Sequence, residues 1–137
     1  MDHADEFRGP GPQEIAERYV SLIREGKMSD ALALMSANMV RVAPFETAEA
    51  SGEVHGLDAI MARSHELTAD YRIHHVEIDG PFVLGDRFAV RFSFEETHTP
   101  TGTPSTTTKM SLYTVVEGKI VREEVYYHDA PHAAAAF

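Results

Sequence analysis

The sequence has 137 residues, 43% of them hydrophobic, with 12 basic side chains against 22 acidic ones; its net charge is −10 with the 8 histidines neutral. That is the size of one domain able to close its own core, and the lack of cysteine excludes disulfides, thiolate zinc sites and a cysteine nucleophile. The acidic balance argues against a nucleic-acid partner, no apolar run approaches the roughly 18 residues of a membrane span, and Met1-Asp2-His3-Ala4-Asp5-Glu6 is acidic where a signal peptide is basic, so a soluble cytoplasmic domain is expected.

Residues 1–11 are polar and end in Gly9-Pro10-Gly11, which reads as a flexible lead-in. Pro12 suits a first helical turn, and Ile15, Tyr19, Leu22 and Ile23 recur at helical spacing until Gly26 stops them. Ser29 and Asp30 look like the cap of a short second helix that buries Leu32 and Met35. A brief extended piece over 39–43 runs into Pro44, and 45–55 reads as a loop. A third helix is expected over about 57–68, with Leu57, Ile60, Met61 and Leu67 inward.

The second half alternates with period two over 72–78, 87–96, 106–116 and 119–128. Gly80-Pro81, Gly85-Asp86 and the 101–104 stretch separate these strands, and Glu117-Gly118 closes a tight hairpin. The pattern is α+β: three N-terminal helices packed on an antiparallel sheet, a single domain over 12–129 with a tail over 130–137. Pairing Val116 with Lys119 and stepping outward puts Thr108, Met110, Leu112, Thr114, Val116, Val121, Glu123, Val125 and Tyr127 on one face. This more apolar face should meet the helices. In the preceding strand Phe88, Val90, Phe92 and Phe94 form the inward set, and continuing the alternation brings Glu96 and His98 to the same side.

The segments Glu17-Arg18-Tyr19-Val20, 25–31, His55-Gly56-Leu57-Asp58-Ala59-Ile60, Gly85-Asp86-Arg87-Phe88-Ala89-Val90 and 113–124, in that order and spacing, resemble the nuclear transport factor 2-like superfamily. That superfamily includes the SnoaL-like polyketide cyclases and the ketosteroid isomerases, and the resemblance covers roughly residues 12–129. It implies a strongly curved sheet wrapped with helices into a cone around an apolar pocket, in proteins that are commonly dimers through the sheet. Fold alone leaves the activity open, because the superfamily hosts isomerases, cyclases, hydrolases, dehydratases and binding modules. In ungapped alignment Tyr19 falls on the isomerases' oxyanion tyrosine, but Ala43 stands where their general-base aspartate belongs. Their second, protonated acid falls at or beside Met110. A donor without a base does not move a proton between carbons, so steroid isomerisation is not expected.

Glu123 is the foremost candidate for chemistry, flanked by Val121 and Val125 on the inward face. An isolated carboxylate is costly to bury there, and desolvation favours the protonated form that acid–base catalysis needs. The competing reading is a glutamate neutralised by an arginine or a tyrosine hydroxyl in a non-catalytic binding or interaction module. Tyr19 and Tyr127 are candidate donors to a carbonyl or enolate oxygen, or core aromatics with hydroxyls at the edge. His98 is a candidate base at the pocket rim, against a simply solvated strand end, and Glu96 is expected to be exposed. The expected pocket lining is Phe88, Val90, Phe92, Phe94, Met110, Leu112 and Val125. His74 and His75 point to opposite faces of a strand, which disfavours a shared metal. No Gly-rich phosphate loop or nucleophile elbow is present, so no cofactor is expected. Arg122, Tyr126, Tyr113 and Ile120, with small Ala89 and Ser93 opposite, read as an outer sheet face suited to a homodimer interface. The reading is a small cone binding a compact apolar or aromatic metabolite, with acid–base chemistry at Glu123 or ligand binding alone.

Overall fold

The computed structural model describes residues 9–43 and 52–127. The expected lead-in falls within them only from Gly9 on; the expected tail and the Leu67 side chain fall outside them. Helix α1 (Pro12–Arg24) starts with proline in its first turn and an extended Gly11 before it. It buries Ile15, Ala16, Tyr19, Val20 and Ile23, one stripe at three- and four-residue spacing. The opposite face carries Gln13–Glu17 and Arg18–Glu14 pairs one turn apart. Helix α2 (Met28–Leu32) is short, and α3 (Leu57–Thr68) follows Gly56.

Six strands form one curved sheet: β1 (Met35–Val42), β2 (Glu53–His55), β3 (Tyr71–Leu84), β4 (Arg87–His98), β5 (Thr103–Val116) and β6 (Lys119–Tyr127). Their order across the sheet is β2-β1-β6-β5-β4-β3. Three helices wrapped on this sheet give the α+β cone. The sheet is not wholly antiparallel, because β1 pairs in parallel with β6. Met35, expected on the second helix, opens β1, and the expected 45–55 loop ends in β2.

Gly80-Pro81, expected to end a strand, instead sits inside β3, where the pairing with β4 slips between Asp79 and Phe82. Gly80 has φ +123°, and a Cβ there would lie 3.0 Å from the Ala89 carbonyl oxygen. The bulge lets the chain bend and continue rather than turn back.

A second bulge decides which residues enter the cone. Val116 pairs with Lys119 as expected across the turn, where Glu117 and Gly118 both have positive φ. The register then slips: Val115 faces Ile120, but Thr114 faces Arg122, leaving Val121 as an extra residue on β6. Beyond it, Tyr113 faces Glu123 and Ser111 faces Val125. One inserted residue turns a strand over relative to its partner. On β5 the buried residues are therefore Thr107, Lys109, Ser111, Tyr113 and Val115. Met110 and Leu112, expected to line the pocket, stand on the outer face, whereas Tyr113 and Ile120, expected on that outer face, are buried.

The core gathers where α1 lies on β4 and β5. Phe88 stacks on Tyr113 at 4.8 Å between ring centroids, and Tyr19 meets Tyr113 edge-on at 5.0 Å. Phe92 and Phe94 stack at 5.9 Å farther along β4.

Candidate functional site

Between α2, α3 and β1 lies a cavity of about 50 Å³. Its walls are Met28 and Leu32 of α2, Met35 and Met39 of β1, and Leu57, Ile60, Met61 and Ser64 of α3. Tyr19 of α1, Arg41 of β1 and Glu123 of β6 supply its other polar groups. Methionine contributes four of these lining residues, and its unbranched, polarisable side chain adapts to irregular shapes.

Glu123 is 5% exposed and reaches the interior because the Val121 bulge precedes it. The carboxylate is not isolated. Ser111 Oγ donates to Oε2 at 2.8 Å, Lys109 Nζ stands 3.8 Å from the same oxygen, and Arg41 Nε lies 3.6 Å from Oε1. Arg41 and Lys109 are themselves 3% and 1% exposed, so the ion pairs are sequestered from water and only weakly screened. Lys109 also sits over the Phe92 and Phe94 rings, 5.1 and 5.8 Å from their centroids. Neither cation was singled out by the sequence. Arg41 falls in the segment expected to be a brief extended piece, and an unbroken hairpin register puts Lys109 opposite Met110, on the outer face, whereas it is buried.

The Tyr19 hydroxyl lies 3.2 Å from that of Tyr113. Burial, and then the charge of Glu123, push both tyrosines well above the usual phenol range. Both therefore stay protonated at neutral pH and keep a hydrogen to donate. Tyr127 accepts a hydrogen bond from Arg41 at 3.1 Å, so it touches the site through the guanidinium.

The structure thus brings Glu123, Tyr19 and Tyr127 together and leaves His98 apart. His98 pairs with Thr103 at one end of β5, whereas Glu123 pairs with Tyr113, roughly 34 Å of strand away. Its ring hydrogen-bonds Thr101 at 2.9 Å and packs against Tyr71, serving the β4–β5 turn. Glu96, expected to be exposed, is 1% exposed and accepts from Thr107 at 2.7 Å and Ser105 at 3.3 Å. The strand does not end there, as β4 and β5 stay paired past it and shield it. Phe88, Val90, Phe92, Phe94 and Val125 are buried but belong to the packed core, and none of them lines the cavity. The lining comes from the helices and β1 because the broad sheet wall is filled by its own aromatic rings. His74 bonds Thr97 at 2.7 Å and His75 approaches Glu77 at 3.8 Å. Among the described residues no group of three or more His, Cys, Asp or Glu side chains converges as a metal site, and no helix is long and apolar enough to cross a membrane.

The SnoaL-like domain family matches residues 16–123, a span that runs from within α1 through α2, α3 and β1 to β5 and ends at the site carboxylate. The chain belongs to the SnoaL-like domain family. A solved structure from Mesorhizobium loti, provisionally assigned as a SnoaL-like polyketide cyclase, is 31% identical over 84% of this chain and 97% of its own, with a TM-score of 0.75. An NTF2-like protein from Burkholderia thailandensis superposes with a TM-score of 0.73 at 18% identity, covering 93% of this chain and 98% of that one. A provisionally assigned polyketide cyclase from Pseudomonas putida gives a TM-score of 0.63 at 18% identity, over 88% and 93% of the two chains. No curated protein sequence matches. Within this SnoaL-like domain, Ala43 is fully buried and carries no ionisable group, and Met110 is on the far side of the sheet.

Proposed function

We propose that this SnoaL-like domain binds a small, largely apolar molecule in the cavity between its helices and sheet and transforms it by acid–base chemistry at Glu123. The observation that carries this reading is a buried carboxylate on the wall of a cavity otherwise lined mainly by methionine, leucine and isoleucine. Such a wall removes an apolar substrate from water, and a single carboxylate in it is positioned to exchange a proton with a bound carbon or oxygen acid. Tyr19, held protonated, donates to an oxygen that gains charge as the proton moves. Arg41, positioned by Tyr127, fixes the carboxylate and offers a second donor. The SnoaL-like polyketide cyclase assignment of the Mesorhizobium loti relative supports a cyclisation of a polyketide-like compound. The domain works as a homodimer through its outer sheet face, where Met110, Tyr126 and Phe82 are exposed.

A second reading is favoured by the same ion pairs. With Arg41 and Lys109 both beside Glu123, the carboxylate is already compensated, as it would be in a binding module without chemistry. Ligand-detected NMR against steroid-like, terpenoid and aromatic polyketide compounds, followed by product analysis on each hit, separates the two. Binding with conversion is the expected result. Binding without conversion of any hit leaves the module, and no binding removes the cavity from the account.

A further inference from the structure

A cavity of about 50 Å³ is too small to hold a whole metabolite by itself: a water molecule takes roughly 30 Å³, and ligand sites typically run to about 300–1,000 Å³, so the rest of a bound molecule must extend beyond it. Immediately outside it is a groove of about 400 Å³ between α2 and α3. Met28, Leu32, Met61 and Ser64 line both spaces. These four side chains form the partition between the cavity and the surface, and three of them are long, apolar and rotatable. Ser29, His65 and Thr68 give the outer groove a polar margin. Rotation of Met28, Leu32 and Met61 about their side-chain bonds would join the two spaces without rearrangement of the sheet.

Resting on the binding function proposed above, we infer that the α2/α3 groove is the entrance to the cavity and holds the apolar body of an amphipathic ligand whose inner end is a hydroxyl or enol. The head-group class follows from the floor. Glu123 is an acceptor, Arg41 and Tyr19 are donors, and all three line the same cavity. A hydroxyl placed among them donates to the carboxylate and accepts from the guanidinium or the phenol, whereas an ether or hydrocarbon leaves the carboxylate's side unmatched.

The methionines report on this directly. Met28 and Met61 belong to the shared wall, Met35 and Met39 to the inner cavity alone, and Met110 to the opposite face of the sheet. Protein labelled with ¹³C at the methionine methyl groups is titrated with 2-naphthol and, separately, with its methyl ether. The expected result is shifts at Met28, Met61, Met35 and Met39 with Met110 unmoved, and an affinity about five-fold lower for the ether, the worth of one hydrogen bond. Met61→Trp and, independently, Leu32→Trp narrow the entrance, and each is expected to weaken the shifts at Met35 and Met39 at a given 2-naphthol concentration. If Met35 and Met39 shift while Met28 and Met61 do not, or if both tryptophan variants bind as well as wild type, the entrance is elsewhere and the cavity reading still stands. Equal affinity for 2-naphthol and its ether overturns the head group. No shift at any of the four lining methionines overturns the entrance and the cavity reading together.

Discussion

At the residue scale, Glu123 was legible in the sequence and its surroundings were not. Val125, two residues on, marks Glu123 as inward by local alternation, whereas Val121 is the bulge residue that brings Glu123 to this face. Arg41 lies more than eighty positions away and reaches Glu123 only through the parallel β1–β6 pairing, for which a sequence offers no local signal. The two buried tyrosine hydroxyls are similar: Tyr19 stood out as an aromatic on an apolar helix face, but its partner Tyr113 was placed on the outside. Their pairing has a consequence for pH. Both phenols are raised above the ordinary value of 10.0 in the folded chain, so above that pH the unfolded chain releases protons that the folded one retains. The stability they contribute is intact below about pH 10 and is lost as pH rises through the folded-state values. Denaturant titrations between neutral and strongly alkaline pH should show a steep alkaline loss in wild type and a shallower one when Tyr19→Phe and Tyr113→Phe are combined. Equal slopes would mean that these hydroxyls ionise freely in the fold.

Helices and strands were readable wherever hydrophobic period and turn chemistry agreed, as for α1, α3 and the β5–β6 turn. The sequence misled at the two bulges. Gly80-Pro81 has the composition of a turn, and only tertiary pairing on both sides makes it a bend within β3. Val121 carries no sign that it is an extra residue, since valine suits either face of a strand, yet it alone sends Lys109 and Ser111 inward and Met110 outward. The Gly80 bend depends on its backbone: Gly80→Ala combines a φ of +123° with a Cβ 3.0 Å from the Ala89 carbonyl oxygen, and should cost about 3 kcal/mol in equilibrium unfolding. Gly85→Ala, at φ +62° with nothing within 4 Å of the added Cβ, should cost only about 1 kcal/mol. A Gly80→Ala protein as stable as wild type would show that the bend is not needed.

For the whole molecule, the superfamily and the α+β cone followed from the order of several weak segments, each uninformative alone. The position of the cavity did not follow. The sheet's aromatic stripe looked like a pocket wall, but stacked rings fill that side. The open volume is left to the methionine-rich helices and β1. The net charge of −10 also gains meaning as a distribution. Glu124 is on the outer face, its carboxyl held below the usual range by the Arg122 hydrogen bond, while Glu123 and Glu96 are buried with polar partners. The chemistry is proposed to reside at Glu123 and not at His98. The most direct test is turnover of a converted ligand by wild type, Glu123→Gln and His98→Ala. Glu123→Gln is expected to lose at least about 100-fold in kcat with ligand still bound, and His98→Ala to turn over as wild type does; full turnover by Glu123→Gln would place the chemistry elsewhere.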